Sequence, residues 1–249
     1  MNLGPPVWLM EESGAPPGSA PPPAPRFGAP PPPPPEGPPR DGPRWEKRRG
    51  PLDLAALFGT VGQVLLDAPA TFRGMVRDAG LGGPLLFMVI FGTLGSWISL
   101  AWQMAIPSPD LGTGGSPILE ILSSPSYRLA SFLMAPVWVL AVFFIWSGFV
   151  HLTLLLLGGA RQPYETTARV IAYVSGSTAV FQIIPVCGVF IGLVWAWVVQ
   201  IIGLARAHET GTGMAAAAVL LPVAFCCLLL FGLMLVFAAV FSRLIGGGL

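Results

Sequence analysis

The chain has 249 residues, of which 53% are hydrophobic and only 10% are charged. An ordinary soluble domain has about 25% charged residues, so this composition indicates a membrane protein. The formal net charge of +1 gives neither the basic field that attracts nucleic acid nor an acidic excess. Lys47 is the only lysine among the 13 cationic residues, and this Arg, Ala, Gly and Pro usage suggests a bacterial source.

The first 43 residues are rich in proline, which cannot donate backbone hydrogen bonds, and they offer little apolar surface to bury. We expect residues 1–43 to form a disordered, partly polyproline II cytoplasmic tail. Two roles remain open for this tail, a linker and a ligand for an aromatic groove. Because the start lacks the basic and apolar regions of a signal peptide, we expect the N-terminus to be retained.

Residues 44–83 are expected to form a basic and amphipathic juxtamembrane segment. A cationic cluster surrounds Trp45, and apolar residues at helical spacing follow it. Pro69 is expected to end the first helix and Thr71 to begin a second one. The candidates for contact with an anionic membrane surface are Arg44, Lys47, Arg48, Arg49, Arg73 and Arg77.

Apolar runs predict an all-α integral membrane protein, a bundle of five transmembrane helices in a membrane domain covering residues 84–245. The first run has no charged residue over 23 positions, and a helix needs about 20 apolar residues to cross the hydrocarbon core. The outer loop that follows it is rich in Gly, Pro and Ser and is expected to hold no folded domain. The predicted spans are about 84–106, 130–157, 170–186, 188–205 and 215–241.

The distribution of cations predicts the orientation. With a cytoplasmic N-terminus, the outer segments hold only Arg128 and Arg243 of the 13 cationic residues. This asymmetry follows the positive-inside rule, so we expect a multi-pass protein of the bacterial inner membrane with its N-terminus in the cytoplasm. No charged residue is expected deep within a span, which argues against a proton-coupled transporter.

The segment between the third and fourth spans is interpreted as the turn of a hairpin, made by Pro185 and Gly188. Cys187 would then lie at the outer tip and would not act as a reactive thiol. Cys226 and Cys227 lie in an apolar run and are expected to behave as small hydrophobic residues. The GxxxG pattern that begins at Gly188 suits packing within the fold and dimer formation equally.

Polar side chains within the spans are the candidates for an intramembrane site, because such side chains usually face the interior of a bundle. They suit hydrogen bonds between helices or a path for a small solute, and both remain open. The sequence has no catalytic constellation, phosphate-binding motif or metal-ligand spacing, so we expect no enzyme, no cofactor and no metal site. The candidate polar cluster is His151, Tyr173, Gln182 and Gln200.

Two stretches of the sequence carry a family resemblance. The first is "GLGGPLLF" at residues 80–87, preceded by Pro69, Thr71 and Phe72. The second is residues 168–208, with Tyr173, Ile184, Pro185, Gly188, Gly192, Trp195 and the Ile-Gly-Leu of residues 202–204. These residues resemble the Yip1 domain family. The resemblance covers about residues 45–240 and implies five spans with a cytosolic N-terminus. Gly80 stands where the family motif, which resembles Asp-Leu-x-Gly-Pro, has Asp.

The resemblance also implies a class of function. Eukaryotic members of the family are associated with early secretory membranes and with Rab GTPases or other trafficking proteins. Our leading hypothesis is therefore a non-enzymatic, membrane-organising or trafficking-like adaptor, and the alternative is a small-solute channel or permease using Tyr173, Gln182 and Gln200. The lipid bilayer is the expected partner and nucleic acid is not. A protein partner on the cytoplasmic side and a homo-oligomer remain open.

Overall fold

The computed structural model describes residues 40–50, 53–76, 79–106 and 117–246, and the regular elements in these ranges are all helical. Short 3-10 helices occur at Arg44–Lys47 and Ala179–Ile183. The predicted disordered tail lies outside the described residues up to residue 39, as do Arg77 and residues 107–116 of the outer loop. The α-helices are α1 (Leu54–Leu66), α2 (Ala68–Arg73), α3 (Gly82–Ala105), α4 (Pro117–Ser123), α5 (Pro125–Leu156), α6 (Tyr164–Thr178), α7 (Cys187–Ala207) and α8 (Thr212–Gly246).

Four of the described helices are long and apolar enough to cross a membrane. They are Gly82–Ala105, Pro125–Leu156, Cys187–Ala207 and Thr212–Arg243. These helices confirm four of the five predicted spans, with ends that differ from the prediction by a few residues. Their lipid-facing character is clearest in α8, whose side chains from Phe225 to Arg243 are exposed.

The remaining predicted span, 170–186, corresponds to α6 and the 3-10 helix Ala179–Ile183, and it differs from the other four. Every residue from Thr166 to Val174 is buried, because α1, α3, α5 and α7 all contact α6. A helix enclosed by protein can carry polar side chains that a lipid-facing helix cannot, since its neighbours provide hydrogen-bond partners. Thr167 shows such pairing, since its hydroxyl lies within hydrogen-bond distance of His151 and His208, whereas the hydroxyls of Thr166 and Ser177 have no partner among the described residues.

Arg169 is buried, although it lies just before the predicted span 170–186. We counted it among the cations of the inner segments. The helix begins at Tyr164, earlier than expected, so Arg169 lies inside it with 0% of its surface exposed. The carboxylates of Glu46 and Glu165, described below, lie near it and offset the cost of burying its charge.

The N-terminal segment, residues 40–76, folds against the bundle. Asp53 caps α1 by accepting a hydrogen bond from the Ala56 backbone N–H at 3.0 Å, and this bond helps to lower the pKa of Asp53. The predicted restart at Thr71 is wrong, because Asp67 caps α2 and Pro69 lies in its first turn. Proline is well suited to that position, since it lacks only an N–H that would have no helical partner.

The chain reverses between α6 and α7 at Val186, which has a φ of 61° and a ψ of −61°. The Cys187 N–H donates to the Pro185 carbonyl at 2.6 Å, which makes this a γ-turn of the rare type with positive φ. Pro185 lies in the turn as predicted, whereas Gly188 is already the second residue of α7. Gly188 therefore permits a close contact and does not make the reversal itself.

The GxxxG pattern is used within the fold. A Cβ atom on Gly188 would overlap the Phe181 carbonyl oxygen, and one on Gly192 would lie 3.3 Å from the Thr178 carbonyl oxygen. Both glycines are buried. They allow α7 to approach the end of α6 and the following 3-10 helix at backbone distance, as small residues do between membrane helices.

Substitution of Gly188 by Ala should therefore destabilise the protein, because the overlapping atom belongs to the backbone and cannot rotate away. We expect a loss of about 1–3 kcal/mol, measured as a lower thermal unfolding midpoint in detergent micelles. Gly148→Ala is the matched control, since nothing lies within 4 Å of the added Cβ. Equal midpoints for the two variants would contradict the close packing of α7 on α6.

Candidate functional site

Trp45 anchors the N-terminal segment to the bundle. Its side chain is 0% exposed, and its backbone N–H donates to Thr60 Oγ1 of α1 at 2.8 Å. The indole Nε1–H donates to the Gly83 carbonyl at 2.7 Å, and the ring lies 6.2 Å from that of Phe87 on α3. The tryptophan of the predicted juxtamembrane segment is thus enclosed between α1 and the start of α3.

Glu46, the next residue, forms an ion pair with the buried Arg169 of α6. Arg169 donates to Glu46 Oε1 through one terminal nitrogen and to the Gly80 carbonyl through the other. Tyr173, one turn further along α6, donates its hydroxyl to the same Glu46 oxygen at 2.8 Å. We call the set of Glu46, Arg169 and Tyr173 the buried triad.

Gly80 completes the connection between the N-terminal segment and α6. Its N–H donates to Glu165 Oε1 at 2.7 Å, and Glu165 lies one turn before Arg169, with 4.0 Å between the two side chains. Gly80 has a φ of 78°, a conformation that glycine adopts at little cost and other residues rarely adopt. The residue that departs from the family motif is therefore one whose backbone conformation favours glycine.

The energetics of the buried triad follow from the burial of its charges. An arginine without a partner in this position would be very costly, whereas a paired and hydrogen-bonded one is tolerated. The three segments that meet there are residues 40–50, residues 79–83 and α6. This ion pair therefore contributes to their relative placement, together with the hydrogen bonds of Trp45 and Gly80.

The predicted polar cluster does not form a single site. Tyr173 belongs to the buried triad. His151 lies elsewhere, where its Nδ1 is 2.8 Å from Thr167 Oγ1, which in turn is 2.9 Å from His208 Nε2. Gln182 accepts a hydrogen bond from Ser99 at 2.7 Å, and Gln200 accepts one from Trp146 at 3.0 Å.

Gln182 and Gln200 nevertheless share a cavity. Both side chains line a space of about 720 Å³ between α3, α5, α6 and α7. Tyr173 and His151 are not among the residues that line it. The structure thus brings together two of the four predicted residues.

The predicted membrane-surface cations differ in their surroundings. Arg44, Lys47, Arg49 and Arg73 are exposed, and Lys47 pairs with Asp41 at 2.8 Å. Arg48 is half-buried, because its guanidinium lies 4.5 Å from the centre of the Trp45 ring and donates to the Trp45 carbonyl. Three of the set are therefore exposed without an ion pair among the described residues, namely Arg44, Arg49 and Arg73.

Comparison with known families identifies the fold. Residues 62–234 match the Yip1 domain, which is more than half of the chain. The chain belongs to the Yip1 domain family. This membership, together with the four apolar helices, makes the protein an integral, multi-pass membrane protein. Comparison with curated proteins and with solved structures gave no match.

The matched region of the Yip1 domain holds Arg169, Tyr173 and Gly80, but Glu46 precedes it. The carboxylate that neutralises the domain's buried arginine thus comes from a residue before the match. Sequence reasoning missed Glu46 and Arg169. A signal was present in α6, where Glu165, Arg169 and Tyr173 recur at intervals of four and so share one helix face.

Removing one charge of the buried triad should strongly destabilise the protein. Arg169→Met leaves Glu46 without its partner, and we expect a loss of about 3–5 kcal/mol in the free energy of unfolding. Denaturant unfolding in micelles, followed by tryptophan fluorescence, measures this change.

The double variant Glu46→Leu with Arg169→Met should recover part of the loss, because no unpaired charge is then buried. Arg206→Gln removes an exposed cation at the end of α7 and is the control, with a change within about 0.5 kcal/mol. A double variant no more stable than Arg169→Met would argue against the pairing.

Proposed function

We propose that this protein is a five-span, non-enzymatic adaptor that organises the membrane through its N-terminal segment, residues 40–76. The observation that carries this proposal is the docking of that segment onto α6 by the buried triad. A docked segment presents the same surface at all times, whereas a free tail does not. Its exposed residues are therefore held in a fixed position relative to the bundle.

The surface of the docked segment suits a membrane interface. Leu54 and Phe58 are each 62% exposed and Leu66 is 87% exposed, although all three belong to the apolar helix α1. Exposed apolar side chains beside exposed cations are typical of segments that lie in the headgroup region of anionic membranes. The cations of this surface are Arg44, Arg49 and Arg73.

The length of α6 and its extension supports a fifth crossing. Fifteen α-helical and five 3-10 residues span about 32 Å, which is close to the thickness of the hydrocarbon core. Four further crossings by α3, α5, α7 and α8 then put the chain termini on opposite sides of the membrane.

Contacts between loops support the proposal that the cationic segments lie at the same end of the bundle. Arg40 pairs with Glu209 of the α7–α8 connection at 3.3 Å, and Arg161 of the α5–α6 connection donates to the Glu209 carbonyl at 3.0 Å. The N-terminal segment and both connections therefore lie at one end of the bundle. The excess of cations there favours the cytoplasmic side, and the composition favours a bacterial inner membrane.

A small-solute channel is less well supported. The proposed pathway needs Tyr173 beside Gln182 and Gln200, but Tyr173 donates to Glu46 and lies away from the cavity that the glutamines line. This separation favours the adaptor. Its protein partner, if one binds, would meet the exposed face of residues 40–76.

Neutralising the three unpaired cations should weaken the contact of α1 with anionic lipid. We would place a polarity-sensitive fluorophore on Leu54→Cys, in a variant with the three natural cysteines replaced, and reconstitute the full chain in nanodiscs. Phosphatidylglycerol should shift the emission to shorter wavelength relative to phosphatidylcholine. Each cation near such a surface contributes about 1 kcal/mol, so a triple Arg→Gln variant at residues 44, 49 and 73 should lose most of the shift.

Arg243→Gln is the control for this experiment, because Arg243 lies in the last turn of α8. An equal shift for the triple variant and the wild type would contradict the role of these cations in membrane contact.

The orientation is tested at Cys187, which is exposed at the tip opposite the N-terminal segment. A membrane-impermeant maleimide should label it in intact cells, and Cys187→Ser should abolish the labelling. Cys226 and Cys227 lie within α8 among exposed apolar residues, where we expect lipid to shield them. Labelling of Cys187 only in inverted vesicles would reverse the proposed orientation.

A further inference from the structure

Two cavities join to form one groove in the half of the bundle remote from the N-terminal segment. The larger, of about 720 Å³, has apolar walls that include Trp138 and Trp197. The smaller, of about 480 Å³, lies between the last turns of α3, the first turn of α5 and the turn at Val186. Both cavities are lined by Ser99, Gln103, Gln182 and Val189, so they adjoin each other. We call this combined space the α3–α5–α7 groove.

The smaller cavity is rich in hydrogen-bond donors that lack acceptors. The indole Nε1–H of Trp102 is buried without a hydrogen-bond partner in the described structure. Gln182 uses its oxygen to accept from Ser99, which leaves its amide N–H groups available. Arg128, in the first turn of α5, also lines the cavity and forms no ion pair with any described residue.

No carboxylate is among the described residues that line either cavity. A guanidinium, an indole N–H and an amide, with no acid among the described lining residues, form a site for an anionic acceptor, and Arg is the side chain best suited to phosphate. The described lining also offers no carboxylate as a counter-ion for a choline or ammonium group. Charge complementarity thus favours a ligand with net negative charge.

The two ends of the groove together define the ligand. One end offers donors for a phosphate, and the other offers a mainly apolar space large enough for a hydrocarbon chain, within the usual range of ligand pockets. We propose that the α3–α5–α7 groove binds one anionic phospholipid from the adjacent leaflet. Its phosphate contacts Arg128 and Trp102, and one acyl chain lies along Trp138 and Trp197 towards Gln200.

Native mass spectrometry of the full-length protein, titrated with phosphatidylglycerol or phosphatidylcholine, tests this proposal. We expect one phosphatidylglycerol to bind about tenfold more tightly than phosphatidylcholine, a ratio that corresponds to about 1.4 kcal/mol. Arg128→Gln should remove that preference. Arg243→Gln, which removes an exposed cation outside the groove, should retain it.

A second variant tests the apolar end. Ser96 lines the larger cavity, and its hydroxyl donates only to the Gly92 carbonyl of its own helix, so Ser96→Phe fills space without removing a contact between helices. This variant should weaken binding of both lipids, and Ser96→Leu should do so less. Glycerol 3-phosphate, which lacks acyl chains, should not compete with the lipid.

Unfolding midpoints close to that of the wild type confirm that the Arg128 and Ser96 variants are folded. Equal affinity for the two lipids in the wild type would overturn the proposal. The same preference in Arg128→Gln and Arg243→Gln would also overturn it, as would displacement of the lipid by glycerol 3-phosphate.

Discussion

The burial of Arg169 is the constraint on which the rest of this structure depends. A guanidinium cannot lose its charge at any physiological pH, so its enclosure by other helices requires a carboxylate nearby. Glu46 meets this requirement from 123 positions away in the sequence. The consequence is that residues 40–76, which precede the membrane helices, become part of the folded bundle.

The same constraint explains why α6 differs in composition from the four long helices. α6 is surrounded by α1, α3, α5 and α7, and Ser147 and His151 of α5 lie within hydrogen-bond distance of its Tyr164 and Thr167. The four long helices face outward and are apolar, as contact with hydrocarbon demands. The short apolar helix α1 covers α6 on one face and leaves Leu54, Phe58 and Leu66 exposed on the other, and we propose that this exposed face contacts the membrane.

The sequence could predict the parts of the fold that face the hydrocarbon core of the membrane, because these parts must be apolar. Long uncharged runs identified α3, α5, α7 and α8, and the motif around Gly80 and Pro185 indicated the Yip1 domain family. The buried triad could not be predicted, because an acid in a basic cluster and an arginine at a helix start both resemble solvated surface residues. The separation of the predicted polar cluster into different sites could not be predicted either. The positions of polar residues in the sequence do not show which helix faces meet.

The most direct test of this account is hydrogen exchange of the full chain in nanodiscs, compared between the wild type and Glu46→Gln. If the ion pair docks the N-terminal segment, the amides of α1 and α2 should lose protection in the variant while those of α3 and α5 keep it. Unchanged protection in α1 and α2 would contradict the central role of the pair. Uniform loss across all the helices would contradict it too, because the effect would then be on the whole fold.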